Sequence, residues 1–163
     1  MTVLTTERLT LRPPEPEDFE AYRAFYASDA VRFIGGRKDL AEAWRLFAAD
    51  AGHWALKGFG WFTMLDADGP VGSTGVHHPP NHAEIEVGWN TYERGQGKGY
   101  ATEAARAVLA WAWGLTDAVR IVSYIDMGNE ASKAVARKLG AENTGARAAH
   151  DPDCEIWAHG RPS

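Results

Sequence analysis

The chain has 163 residues, 45 % hydrophobic and 24 % charged, a balance that excludes disorder, fibrous repeats and multidomain assembly and predicts one globular domain over residues 1–163. At this length folding hides roughly 70 % of the surface that the unfolded chain exposes, so a core needs no disulfide or metal. Basic residues number 17 and acidic ones 22, a net charge of −5, which argues against a nonspecific nucleic-acid binder because such proteins use a basic field to displace phosphate counterions.

The single cysteine, Cys154, excludes an intramolecular disulfide. The N-terminus MTVLTTERLT lacks a charged-then-apolar signal pattern, and charge breaks every apolar run before the ~18 residues a membrane span requires. The expectation is a soluble cytoplasmic protein with no membrane partner. Its charge tolerates an amine-bearing ligand, and equally a small anion held at a locally basic spot.

Residues 6–12 (TERLTLR) alternate Leu9 and Leu11 with polar neighbours, the period of a half-buried strand, and Pro13, Pro14 and Pro16 stop it. Glu17 and Asp18 are acids suited to a first helical turn, and DFEAYRAFYAS predicts a short amphipathic helix. Leu40, Trp44, Phe47, Ala51 and Trp54 recur at helical intervals, and Gly58 and Gly60 end that longer helix. The stripe reads as core, part of it available to line a groove. FGWFTMLD, VGSTGVHH and AEIEVGWN, separated by turn sequences, predict an antiparallel meander. Tyr100, Ala104, Val108, Trp111 and Leu115 mark a further helix and VRIVSYI a strand. Residues 129–139 predict a short helix with Gly140 as its left-handed cap, and GARAA and CEIWAH a closing hairpin. Strand, two helices, three strands, helix, strand, helix and two strands make a mixed α/β domain.

The informative stretch is EVGWNTYERGQGKGYATEAARAVLAW, a strand running through the alternate glycines Gly95, Gly97 and Gly99 into a helix. Such glycines let the backbone approach a ligand, and the free N–H groups of the first helical turn point their positive end at an anion. Arg94 and Lys98 add local charge. A purely structural turn is the plain alternative. A P-loop is excluded because Gly99 follows Lys98 where a Ser or Thr would hold magnesium. A dinucleotide fingerprint fails because Thr102 stands at its third glycine, and Asp126 lies farther along than the usual interval of about 20 residues to a ribose-binding acid.

Arg94-x-x-Gly97-x-Gly99 followed by Tyr100-Ala101-Thr102-Glu103 resembles the acyl-CoA loop of the GNAT family of N-acetyltransferases, and Glu86-Val87-Gly88-Trp89 resembles that family's fourth strand. Asn129-x-x-Ser132 with Lys138-Leu139-Gly140 is similar to its second motif. The opening Thr6-Glu7-Arg8-Leu9-Thr10-Leu11-Arg12-Pro13 narrows the resemblance to the branch that acetylates ribosomal-protein N-termini and its many relatives of unassigned substrate. The resemblance implies a mixed, mostly antiparallel sheet with flanking helices, whose fourth and fifth strands splay after a β-bulge to admit pantetheine. It implies acetyl-CoA as cosubstrate, with Trp89, Asn90 and Thr91 offering backbone groups to pantetheine. Arg94 and Gly95 lead into a pyrophosphate wrap of Gln96, Gly97, Lys98, Gly99, Tyr100 and Ala101, and Asn129 and Ser132 complete the site.

Attack of an amine on a thioester requires a neutral amine, a polarised carbonyl and a proton for the leaving thiolate. Glu84 and Glu86, two apart on the expected strand, share a face and are the candidate bases, unless they are merely solvated strand residues. By resemblance the carbonyl is polarised by a backbone N–H near Trp89 or Asn90. The family often places its acid, a tyrosine, at the position of Ala136; Ser132 is therefore the candidate, with Tyr124 in reserve. Ser132 has a plain alternative as a residue bonding its own helix, and Asn129 as the helix N-cap. His77, His78 and His82 read as exposed turn histidines, one of them within reach of an acceptor, with no metal-ligand set around them. Cys154 reads as a small apolar strand residue rather than an acyl-accepting thiol. The expected activity is direct acetyl transfer in a ternary complex to a primary amine, either a protein N-terminus or a small molecule. The alternative is a non-catalytic acyl-CoA-binding or sensing module. A twofold homodimer is the commonest assembly for such a chain.

Overall fold

In the computed structural model, which describes residues 1–163, a short hairpin of β1 (Leu4–Thr5) and β2 (Thr10–Arg12) precedes helices α1 (Phe19–Tyr26) and α2 (Leu40–Lys57). The strands β3 (Trp61–Asp66), β4 (Gly69–His77) and β5 (Glu86–Thr91) follow, then α3 (Tyr100–Ala112), β6 (Arg120–Asp126) and α4 (Glu130–Lys138). The chain closes with β7 (Glu142–Ala148) and β8 (Asp151–Gly160). Of the single strand expected over residues 6–12, residues 10–12 form β2, and residues 6–9 are the tight turn that joins it to β1. The Glu103 carboxylate of α3 holds that turn, accepting from the Thr6 hydroxyl at 2.7 Å, the Arg8 backbone N–H at 2.9 Å and the Arg8 Nε at 2.7 Å.

All strands join one eight-stranded sheet of order β1-β2-β3-β4-β5-β6-β8-β7. Every neighbouring pair is antiparallel except β5 and β6. Against β4, the register of β5 runs unbroken from Gly72↔Thr91 to His77↔Glu86, so the bulge expected here is absent from that ladder. A register shift occurs one strand earlier, between Met64 and Leu65 of β3. Against β6, only Glu86↔Val122 pairs.

The main core lies between the sheet and α3, where Ala104, Ala105 and Val108 pack against Phe62, Met64, Val71, Val76 and Val87. Small alanines let this helix sit close to the strands. A second, aromatic cluster of Tyr22, Phe25, Tyr26, Val31, Ala43, Phe47 and Tyr92 joins α1 to α2. The end of β2 anchors α1: Arg12 forks onto Asp18 with bonds of 2.7 and 3.0 Å, and the Thr63 hydroxyl donates to the same buried carboxylate at 2.9 Å.

The expected face of α2 needs correction. A capping box of Asp39 and Glu42 starts the helix and Gly58, at φ +76°, ends it, but the buried residues are Ala43, Phe47, Asp50 and His53. Leu40 and Trp44 are 60 % and 54 % exposed. Hydrophobic periodicity misplaces this face because two of its inward residues are polar. No helix of the protein is long and apolar enough to cross a membrane.

The Ser123 hydroxyl donates to the Val87 carbonyl at 2.7 Å and lies 2.9 Å from the His159 Nε2. Burial lowers the His159 pKa to about 4, so the ring is neutral at neutral pH, and because Ser123 gives its hydrogen to Val87 the Nε2 serves as the donor to the Ser123 oxygen. Replacing Ser123 by alanine strands a carbonyl and an imidazole N–H in a dry place. Urea unfolding of Ser123→Ala is expected to show a loss of about 1–3 kcal/mol.

Candidate active site

The site begins where two parallel strands part. The Ile85 carbonyl accepts from the Val122 N–H at 3.0 Å and the Val87 carbonyl from Ser123. Because strand residues alternate sides, Trp89 is the next residue to turn its N–H and C=O toward β6, beyond the last pairing. A crevice opens there, between the carboxyl ends of the two strands, and the N-termini of the helices that follow both strands border it. Openings of this kind are where α/β sheets bind ligands.

One cavity, of about 630 Å³, lies along the glycine loop and is lined by Trp89, Asn90, Thr91, Gly95, Gln96, Gly97, Gly99, Tyr100, Ala101, Asn129 and Ser132 among others. Gly97 and Gly99 take left-handed φ of +74° and +77°, which turn the loop into α3. Gly95 serves close approach instead: a Cβ there would lie 2.9 Å from the Cβ of Val71. The first N–H groups of α3, at Tyr100, Ala101 and Thr102, have no partner within the helix and border the cavity. At α4 the Asn129 Oδ1 accepts from the Ser132 N–H at 3.2 Å, so Asn129 is the N-cap, and the Ser132 hydroxyl stays outside that bond.

The loop's charge is arranged differently from the expectation. Arg94 does not line the cavity; its guanidinium forks onto Asp66 at 3.1 and 2.9 Å and donates to the Gly69 and Pro70 carbonyls. Lys98 is exposed, with its ammonium 5.7 Å from the centre of the Tyr100 ring. The cations on the cavity wall are Arg32 and Lys138. Spacing from the glycine loop does not point to Arg32; Phe33, Ile34, Gly35 and Gly36, following it, are the local sign of a wall segment.

A second cavity, of about 500 Å³, shares Phe33, Ile34, Trp89, Asn90, Asn129 and Ser132 with the first. It extends over Tyr26 and Asp50 of the helices, Trp61, His77, His82, Glu86 and Tyr124. Glu86 shares a strand face with Gly88 and Asn90. A Cβ on Gly88 would come within 2.5 Å of the Trp61 ring, so the indole lies directly on that backbone. Burial pushes the Glu86 carboxyl pKa up, and His82, whose Nδ1 is 3.2 Å from Oε2, opposes part of that rise. Glu84 departs from the expectation of a shared strand face. It precedes β5 in a bend, makes a bidentate pair with Arg120 at 2.7 and 3.1 Å, and does not line the cavity.

The histidines are also not the exposed group expected. His77 and His82 line the second cavity, and His78 donates its backbone N–H to the His53 Nε2 at 3.1 Å. Rings pass contact along the wall. His53 stacks on His77 at 5.1 Å, His77 meets His82 edge-on at 5.3 Å, and His82 stacks on His150 at 3.9 Å. Burial holds His77 down at about 4, so it is neutral near pH 7. No group of three or more His, Cys, Asp or Glu side chains is arranged to hold a metal ion.

The acetyltransferase (GNAT) domain family matches residues 8–142. The chain belongs to the GNAT acetyltransferase family. A solved acetyltransferase from Agrobacterium tumefaciens is 36 % identical, with a TM-score of 0.89 over 99 % of this chain and 95 % of that one. The uncharacterized protein YkkB of Bacillus subtilis is 30 % identical over 150 residues, 85 % of this chain and 84 % of its own. RimL, a ribosomal alpha-N-protein acetyltransferase solved in complex with coenzyme A, shares the fold at 16 % identity, with a TM-score of 0.74 and 98 % of each chain covered.

Within this GNAT fold the position at which the family often carries a tyrosine holds Ala136, fully buried. Tyr124 reaches only the second cavity, whereas Ser132 stands where both meet. Cys154 is 8 % exposed on β8, and burial with the nearby Asp151 raises its thiol to about 12, so it carries almost no thiolate at neutral pH. Residues missed in the sequence, Tyr26, Asp50 and Trp61, come from α1, α2 and β3 and carry no motif spacing. The Arg94 clamp holds Asp66 down at about 2. In Arg94→Ala, carboxyl NMR should find the Asp66 titration moved up toward the ordinary value of about 3.9, short of it by what the Asp68 N–H and the Tyr100 hydroxyl still contribute.

Proposed function

We propose that the protein moves an acetyl group from acetyl-CoA to a primary amine by direct attack in a ternary complex. The observation that carries this reading is the meeting of two cavities at Trp89, Asn90, Asn129 and Ser132, one ending on a glycine-loop helix start and the other holding the half-buried Glu86. The first fits acetyl-CoA. Its pyrophosphate suits the Gln96 to Ala101 loop and the free N–H groups of α3, with Arg32 and Lys138 as counter-charge. Its pantetheine suits the unpaired strand edge from Trp89 to Thr91. RimL, solved with coenzyme A on the same fold, supports coenzyme A as the kind of ligand.

The acceptor enters as an ammonium and passes one proton to Glu86, directly or through one water. Its lone pair then forms a C–N bond to the thioester carbonyl, and the Trp89 N–H stabilises the oxyanion that develops. When the C–S bond breaks, the sulfur takes a proton from the Ser132 hydroxyl, with Tyr124 as the more distant donor; the nitrogen gives up its excess proton through water, which restores the hydroxyl and leaves a neutral amide. Glu84, paired to Arg120, stands apart from these steps. Cys154, with its raised thiol pKa, is a poor acyl carrier, which favours direct transfer over an acyl-enzyme. The acceptor is a protein N-terminus, as RimL's name indicates for RimL, or a small-molecule amine. We place the protein in the cytoplasm, where a lone cysteine stays reduced.

A thermal-shift titration tests the first cavity. Acetyl-CoA or CoA at about a hundred times its dissociation constant adds ~2.7 kcal/mol of stability, whereas NAD and ATP should give no shift. Glu86→Gln tests the second: kcat/KM should fall by about 10² to 10⁴ while the acetyl-CoA shift persists. A base works ionised, so wild-type kcat/KM falls as pH drops through the raised Glu86 pKa, and the variant should lack that acid limb. A sensing module would bind acetyl-CoA yet release no thiol with any amine. Cys154→Ser should retain turnover; a loss of acetyl transfer in that variant would overturn the direct route.

A further inference from the structure

The second cavity contains a charge that acetyl transfer leaves unused. Its walls carry the carboxylates Asp50, Glu86 and Asp126, and no lysine or arginine. Glu86 belongs to the reaction. Asp126 accepts the Gly128 N–H at 2.8 Å and shapes the turn into α4. Asp50 has no such duty. It sits on α2, 7 % exposed, and its one hydrogen bond comes from the Tyr22 hydroxyl at 2.8 Å.

A carboxylate taken from water without a cation is costly, and an apolar side chain of similar size would stabilise the helix interface better. Burial lifts the Asp50 pKa to about 7, the measure of that cost. The protein supplies no counter-ion, yet the cavity wall opens onto this residue. Around it stand faces suited to a cation: Tyr26 on the same wall, with Phe33, Trp61 and Tyr124 farther along. His77, neutral near pH 7, adds no repulsion.

We propose that the acetylated amine carries a second cationic group, held by Asp50, and has no carboxylate or phosphate in the part that enters the cavity. The substrate class is a diamine or a longer polyamine, or an amine whose neighbouring group is a cation. Glu86 receives the reacting ammonium and Asp50 keeps the other one charged. Free amino acids are disfavoured because their carboxylate meets acids and no guanidinium. This inference rests on the transfer reading above.

The test uses the full chain with acetyl-CoA and compares a homologous series of α,ω-diaminoalkanes with monoamines and ω-amino acids of matching length, read as thiol release. The best diamine should exceed its monoamine by at least about tenfold in kcat/KM, with the ω-amino acid slowest. Asp50→Asn should cut the diamine-to-monoamine ratio by at least about tenfold, and Asp50→Glu should keep most of it. A wild-type monoamine as good as its diamine, or a faster ω-amino acid, overturns the proposal even if the Asp50 variants fail to fold. Calorimetric titration of the same amines into CoA-bound protein, which has no acetyl group to transfer, reads the Asp50 contact without a transfer step, and equal affinity for diamine and monoamine overturns it again. Failure of the transfer reading has a different signature: no thiol release with any acceptor, peptide N-termini included.

Discussion

The hydrogen bond from Ser123 to the Val87 carbonyl is the point on which the site depends, because it is the last link before two parallel strands separate. Up to that point β5 behaves as an interior strand, paired continuously to β4 and once to β6. Beyond it, a row of backbone groups faces an opening with no strand to meet them. Unpaired backbone in a protein interior is expensive and persists where a ligand or water completes it. The opening is stable because each strand has a full partner on its other side: β4 for β5, and β8 for β6 from Arg120↔Gly160 to Asp126↔Cys154.

The two cavities that meet at this opening work by different physics. The glycine-loop cavity is built mostly from backbone, with left-handed glycines, helix N-terminal N–H groups and a strand edge, while its most conspicuous arginine is committed to Asp66. Charge there comes from aligned dipoles and rim cations, which suits a polyanion that must arrive and leave. The second cavity is built from side chains, with aromatic walls, the buried Asp50 and the half-buried Glu86, whose ionisation burial makes costly. A cationic guest offsets that cost directly, and such an interaction is strongest when water is excluded. The −5 net charge is therefore less informative than the sorting of charges between these two walls.

What the sequence disclosed, and what it hid, divides along the same line. Backbone-built features were legible because Gly and Asn have few reasons to stand where they do. Gly97, Gly99 and Gly140 all take left-handed φ, and Asn129 is an N-cap. Side-chain assemblies were not legible, since their members lie far apart in the chain. Glu84 and Glu86 look equivalent two residues apart, yet one precedes the strand and pairs with Arg120 while the other is half-buried beside His82. The histidines after β4 look like turn residues until His150, from the turn between β7 and β8, closes over His82. The α2 stripe was displaced because a hydrophobic pattern gives no weight to Asp50 and His53.

That displacement ties the wall proposed to receive the acceptor to the strand that carries Glu86. Asp50 and His53 are three residues apart and share one helical face, so the turn that presents the unpaired carboxylate also presents an imidazole. The His53 ring is fixed at both nitrogens: Nδ1 donates to the Phe59 carbonyl and Nε2 accepts the His78 N–H. From there contact runs through His77 to His82 and so to Glu86. A shift of α2 at Asp50 therefore presses on the same ring series that supports Glu86. Rigid packing makes such neighbours move together, so under the proposed reaction acceptor fit and the placement of Glu86 are both set by one helix.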